Sequence, residues 1–144
     1  MDVLPTGHEL SAAILGGHRV EHPLISFACA LAKLHRKRWR GTEQVVAAHR
    51  RQAVLDAIDL WMATNVGSTT ALQAGSLIDE MTRAGARARY LLATADPASE
   101  TVHAAWTAAA ALADQWSELA VHVTVPYACS TRWRSVQPTH TGPR

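Results

Sequence analysis

The sequence predicts an all-α protein: an antiparallel four-helix up-down bundle with a short extra N-terminal helix and a disordered C-terminal tail. Three observations carry that expectation. Alanine makes up 27 of the 144 residues, and alanine is the strongest helix former. Apolar residues recur at spacings of three and four through successive long segments. Short turn signals built on Gly, Asn and Asp-Pro separate those segments. The length suits one domain, residues 1–123, followed by a tail over 124–144.

The elements follow in chain order. Thr6-Gly7-His8-Glu9 has the spacing of a capping box and opens a short helix through Leu10 and Ile14, which Gly16-Gly17 ends. Pro23 suits the first turn of a second helix, about 23 to 40, with Leu24, Phe27, Ala28, Leu31, Leu34 and His35 on one face. Gly41 stops it. Thr42 is the expected N-cap of a third helix, about 43 to 64, striped by Ala47, Val54, Ile58 and Trp61. Asn65-Val66-Gly67-Ser68 is the next turn. A fourth helix, about 69 to 94, carries Ala71, Ala74, Ile78, Met81, Gly85, Ala88 and Leu92 on one face. Asp79 and Arg83 lie off that stripe at i,i+4, the position of a solvated pair. Asp96-Pro97 reads as an N-cap followed by Pro at N1, opening a fifth helix that ends near 122. Its seam is Val102, Trp106, Ala109, Ala113, Trp116, Ala120 and Val123. From Thr124 the periodicity fails, and Pro126, Pro138 and Pro143 punctuate the tail. Ala105, Ala108, Ala110 and Ala111 make the fifth helix apolar on a second side. A helix of that kind is central or meets a partner, so a homodimer is expected.

Composition excludes several classes. Fourteen Lys and Arg against twelve Asp and Glu give a net charge of +2, unlike a histone-like or an acidic disordered chain. The first ten residues hold Asp2 and Glu9 and no apolar run, so no signal peptide is expected there. The apolar run Ala104 to Ala113 is too short to span a bilayer, and a cytoplasmic location is expected. Cys29 and Cys129 do not form a disulfide framework; one reads as a buried small residue, the other as a tail thiol.

Reflecting the helices about their turns sorts the charges. Residues 32–51 and 82–103 fall at one end and sum to +7. Residues 21–31, 52–81 and 104–122 hold no Lys or Arg and sum to −7. The basic end offers Arg36, Lys37, Arg38, Arg40, Arg50, Arg51 and Arg87 as candidate contacts for an acidic partner, with Trp39 among them. Phosphate contact and stacking need such residues, but no nucleic-acid-reading module is recognisable, which disfavours nucleic acid. A solvated basic face is the plainer account.

His35, His49 and His103 reach the same end, and Glu100 precedes His103 by three residues on one helix face. Three imidazoles can bind zinc. A di-iron bundle needs two Glu-x-x-His pairs, and one is present. The plainer alternative is a polar layer of His35, Arg38, Asp59 and Asp79 hydrogen-bonded within the bundle. His18-Arg19-Val20-Glu21-His22 matches the inverted zinc-peptidase pattern, but Gly16-Gly17 and Pro23 break the helix that this chemistry needs. Asp114, Glu118 and His122 line one helix face, most simply its wet side. Trp61 and Trp116 read as core. There is no nucleophile elbow or phosphate loop, so no catalytic residue is assigned and no cofactor is expected.

Leu34-His35-x-x-Arg38-Trp39, Arg50-Arg51-x-x-Val54, Ile58-Asp59-x-Trp61, Ile78-Asp79 and His103-x-x-Trp106 together resemble a family of small actinobacterial all-helical proteins of unknown function. The resemblance covers about residues 4 to 122. It implies inward places for His35, Arg38 and Asp59 and brings no activity. Members often carry His and Glu near the start of the fourth helix, where this chain has Thr70 and Leu72. The function expected from the sequence is therefore a non-enzymatic interaction or regulatory module. The alternatives are a metal- or ligand-binding bundle and a nucleic-acid accessory protein.

Overall fold

A computed structural model of the chain describes residues 4–17, 21–37 and 41–136, with the backbone alone described at 68–72 and 122–136. The described residues form five helices and no strand: α1 Gly7–Ile14, α2 Pro23–Arg36, α3 Thr42–Asn65, α4 Ser68–Thr94 and α5 Glu100–Val136. The all-α class expected from the sequence is therefore present. No described helix is long and apolar enough to cross a membrane.

Each boundary has a local cause. The Thr6 hydroxyl accepts from the Glu9 N–H, and the Glu9 carboxylate accepts from the Thr6 N–H, both at 3.0 Å. That reciprocal pair starts α1. Gly16, at φ 85°, ends it, because the left-handed conformation lets two amides turn back: Gly17 N–H reaches the Ala12 carbonyl and Gly16 N–H the Ala13 carbonyl. Pro23 opens α2, with the His22 imidazole accepting from the Leu24 N–H at 3.1 Å.

Four expectations shift. First, α2 ends at Arg36 rather than near 40, since Lys37 already has extended backbone for the turn into α3. Second, Gly41, at φ 60°, is the N-cap of α3, and Thr42 is its first helical residue. Third, Asp96 does not cap α5. Its carboxylate and carbonyl accept from Ala98 and Ser99 to close a turn, and Ser99 Oγ accepts from the Val102 N–H as the helix begins. Fourth, α5 is assigned as far as Val136, beyond the end expected near 122.

The packing order also differs from a closed four-helix ring. Among the described residues α4 touches every other helix, whereas α5 touches only α4 and α1, and α2 does not reach α5. The short α1 stands between α2 and α5. The central helix is thus α4, not the alanine-rich α5. Close approach explains this: a Cβ on Gly85 would come within 2.8 Å of the Ile14 side chain, and one on Gly75 within 2.5 Å of the Asp59 carboxylate. Small residues let α1 and α3 lie against α4, while of the second side expected on α5 Ala108, Ala110 and Ala111 are exposed and only Ala105 is buried. Alanine favours a helix without requiring burial.

The core gathers Leu10, Leu24, Leu31, Ile58, Met62, Ile78 and Trp116 from all five helices. Burying each such side chain contributes about 1.5–3 kcal/mol. Trp116 is fully buried, and its indole N–H donates to the Pro5 carbonyl at 2.7 Å. Leu92, expected on the inner stripe of α4, is instead exposed, on an open cleft that Leu15 and Trp106 also line. Trp61 is half-buried and packs edge-on against the His22 ring, 5.0 Å between centroids. Cys29 is buried as a free thiol.

The seam of α1 on α5 is tight enough to test. The Gly7 N–H donates to Ser117 Oγ at 3.1 Å, and a Cβ at Gly7 would run into the Ala113 carbonyl. Gly7→Ala should destabilise the protein by about 2 kcal/mol, read as a lower urea midpoint. Ala12→Gly, outside that seam, should not move α1 away from α5.

Candidate functional site

Asp79 lies mid-way along α4, where that helix faces α2 and α3. Its residue exposure is 4%, so the carboxylate is inside the bundle rather than in a solvated pair with Arg83. Three helices supply its partners. His35, in the last turn of α2, places Nε2 at 2.8 Å from Oδ1. Arg51 of α3 donates side-on, Nη2 to Oδ2 at 2.6 Å and Nε to Oδ1 at 3.1 Å. Arg83 Nη2 lies at 3.4 Å from Oδ2 on the outer side. Beneath them the Thr82 hydroxyl, fully buried, donates to the Asp79 carbonyl at 2.8 Å.

The electrostatics follow from this geometry. Burial alone would raise the Asp79 pKa, but the hydrogen bonds and charges of His35 and Arg51 outweigh it and hold the carboxyl well below the usual carboxylate range. An ionised carboxylate only accepts, so His35 Nε2 carries the proton in this bond. The hydrogen bond to Asp79 in turn raises Arg51 above its ordinary value. The cluster locks three helices in register. Among the described residues it presents no nucleophile hydrogen-bonded to His35.

Asp59, a sequence candidate for the same polar layer, sits elsewhere on the α3–α4 seam. Its Oδ1 accepts from the Gly75 N–H at 3.2 Å. Burial raises its pKa, with the Gly75 bond opposing and Asp56 adding to the rise. Arg38 lies outside the described residues, as do Arg40 and His18.

The three candidate metal-site histidines do not form a common site. His35 is committed to Asp79, while His49 on α3 and His103 on α5 are exposed, as is Glu100. The helices α3 and α5 make no contact among the described residues, because α4 separates them. No group of three or more His, Cys, Asp or Glu side chains that could hold a metal ion occurs among the described residues. Asp114 and Glu118 are exposed on α5.

The basic residues divide by direction. Arg51 and Arg83 turn to Asp79, and Arg89 donates to the Leu15 carbonyl at 3.0 Å, tying α4 to the end of α1. Arg36 donates back to the Ala32 carbonyl of its own helix. Arg87 borders a cleft between α4 and α5 lined by Ala84, Ala104 and Ala108. Lys33, Lys37 and Arg50 rim an open groove of about 560 Å³ between α2 and α3. Its floor is apolar: Ala30, Leu34, Ala53 and Val54. Charge reflection marked the cations but could not reveal this groove, since Lys33 and Val54 were never on one predicted face. Asp79, placed by that reflection at the acidic end, sits against Arg51 at the border, so the two ends are less sharply opposed.

No family model, curated protein or solved structure matches the chain.

Removing the central carboxylate should expose its role. Asp79→Asn leaves Arg51 beside a neutral amide and should cost about 3 kcal/mol in urea unfolding. The wild-type contribution is present above the unfolded carboxyl value of about 4 and is lost as pH falls through the depressed folded value. Asp79→Asn should therefore flatten the acid limb of a stability–pH curve below about pH 4. An unchanged acid limb would remove Asp79 from this account.

Proposed function

We propose that the protein is a non-enzymatic interaction module of the cytoplasm that docks an acidic protein partner, including another copy of itself, through its basic end. The α2–α3 groove carries this reading: three cations, Lys33, Lys37 and Arg50, surround an apolar floor. Such a surface suits a helix that presents both carboxylates and aliphatic side chains. The cations give attraction and orientation, and the floor gives affinity. An acidic protein is favoured over nucleic acid because the sequence carries no recognisable nucleic-acid-reading module.

A second reading, a metal-binding bundle, finds no support among the described residues in the placing of His35, His49 and His103. The resemblance to actinobacterial helical proteins of unknown function brings no activity to this reading.

Fluorescent poly-glutamate tests the reading on the full chain. It should bind at low salt, and binding should fall about tenfold or more on raising the salt. Lys33→Glu combined with Arg50→Glu should abolish it while circular dichroism and the unfolding midpoint stay close to wild type, as both side chains are exposed. No binding at low salt, or binding unaffected by the double variant, would sink the proposal.

A further inference from the structure

The outer face of α3 carries a second pattern, distinct from its buried stripe. Val46, Ala53 and Leu60 recur every seven residues, and all are exposed, Val46 at 50% and Leu60 at 69%. Arg50 and Ala57 fall between them, so the spacing runs four, three, four, three. That is the seam of a two-helix coiled coil. Scattered apolar residues on a surface need no explanation, but a heptad line along one helix presents a surface shaped for another helix.

We infer that this face of α3 docks against the α3 of a second copy in antiparallel orientation, with the two-fold axis at Ala53. The inference rests on the proposed function, since it names one partner for this part of the surface: a second copy of the chain. Charge complementarity selects the orientation. Arg51 and Asp59 turn inward, to Asp79 and Gly75. Arg50 and Asp56 stay on the outer side, three residues to either side of Ala53. Antiparallel docking sets Asp56 at the level of the second copy's Arg50, and the reverse. It also sets Val46 opposite the second copy's Leu60, and Ala53 opposite itself. Parallel docking would align Arg50 with Arg50 and Asp56 with Asp56. Asp56 accepts from Gln52 of its own helix at 2.9 Å, which keeps the carboxylate on this outer side. The small Ala53 and Ala57 let two helix axes approach closely at the centre. An isologous contact of this kind closes at two copies, giving a dimer rather than a filament.

Sedimentation velocity on the full chain tests the pairing, alongside the poly-glutamate assay. The wild type should show a concentration-dependent monomer–dimer equilibrium that salt weakens. Arg50→Glu and Asp56→Arg should each weaken dimerisation about tenfold or more, and the combined Arg50→Glu/Asp56→Arg chain should recover it, because the swap restores complementarity. Orientation is read by cross-linking in a Cys129→Ser background. Ala53→Cys should give a covalent dimer under mild oxidation. Val46→Cys should not, because the two substituted positions would lie about 21 Å apart along the axis. A chain that stays monomeric at low salt while still binding poly-glutamate would overturn self-docking and leave the proposed function standing. Loss of both would overturn both. Cross-linking through Val46→Cys as readily as through Ala53→Cys, or no recovery in the combined variant, would also overturn the antiparallel pairing.

Discussion

A carboxylate can stay ionised inside a helical bundle only if neighbouring groups replace the water it gave up. In this protein Asp79 meets that condition with a side-on guanidinium from α3 and an imidazole from α2. The arrangement couples three helices through one side chain. Sliding α2 or α3 by a turn along α4 would move His35 or Arg51 about 5 Å away and leave a buried charge unpaired, at a cost of several kcal/mol. The apolar stripes alone would tolerate such slips far better, since alanine surfaces look alike at neighbouring registers. The cluster therefore supplies register to a core whose composition supplies mainly burial.

The second constraint is the closeness of α4 to its neighbours. Gly75 and Gly85 bring Asp59 and Ile14 against the α4 backbone. Around that central helix α1 takes the place that a fourth long helix occupies in a closed ring, fixed by Trp116 and Ser117 reaching Pro5 and Gly7. Eight residues suffice for this because the helix is capped at both ends within its own sequence and buries Leu10, Ala13 and Ile14. Moving the centre from α5 to α4 leaves α5 flanking the molecule, while Val46, Ala53 and Leu60 of α3 are exposed.

These two constraints decide how the positive charge is used. Register consumes Arg51 and Arg83, and the α1–α4 contact consumes Arg89. Lys33, Lys37 and Arg50 rim an apolar groove between α2 and α3. The groove and the self-complementary line on α3 share Arg50 and Ala53, so the chain's own dimer and a foreign acidic partner would compete for one surface. Metal chemistry has no comparable footing, as the histidines that sequence reflection placed together lie on opposite sides of α4.

The helical class, the α1 capping box, the Gly16-Gly17 stop and the Pro23 start were legible in the sequence because each depends on residues within a turn of one another. The wider polar layer was legible only as a set of candidates: His35 and Asp79 meet, whereas Asp59 lies on a different part of the seam. Arg51 could not be separated from Arg50 by spacing, since adjacent residues on a helix differ by 100° and only the position of α4 says which of them faces inward. The same holds for the exposed Leu60, which is as hydrophobic as any core residue. The sequence by itself determined which segments are helical and where they stop, because those are contests between local backbone conformations. Only the tertiary structure decided which helix is central and which charges are buried or left for a partner, because burial depends on what residues far along the chain bring into contact.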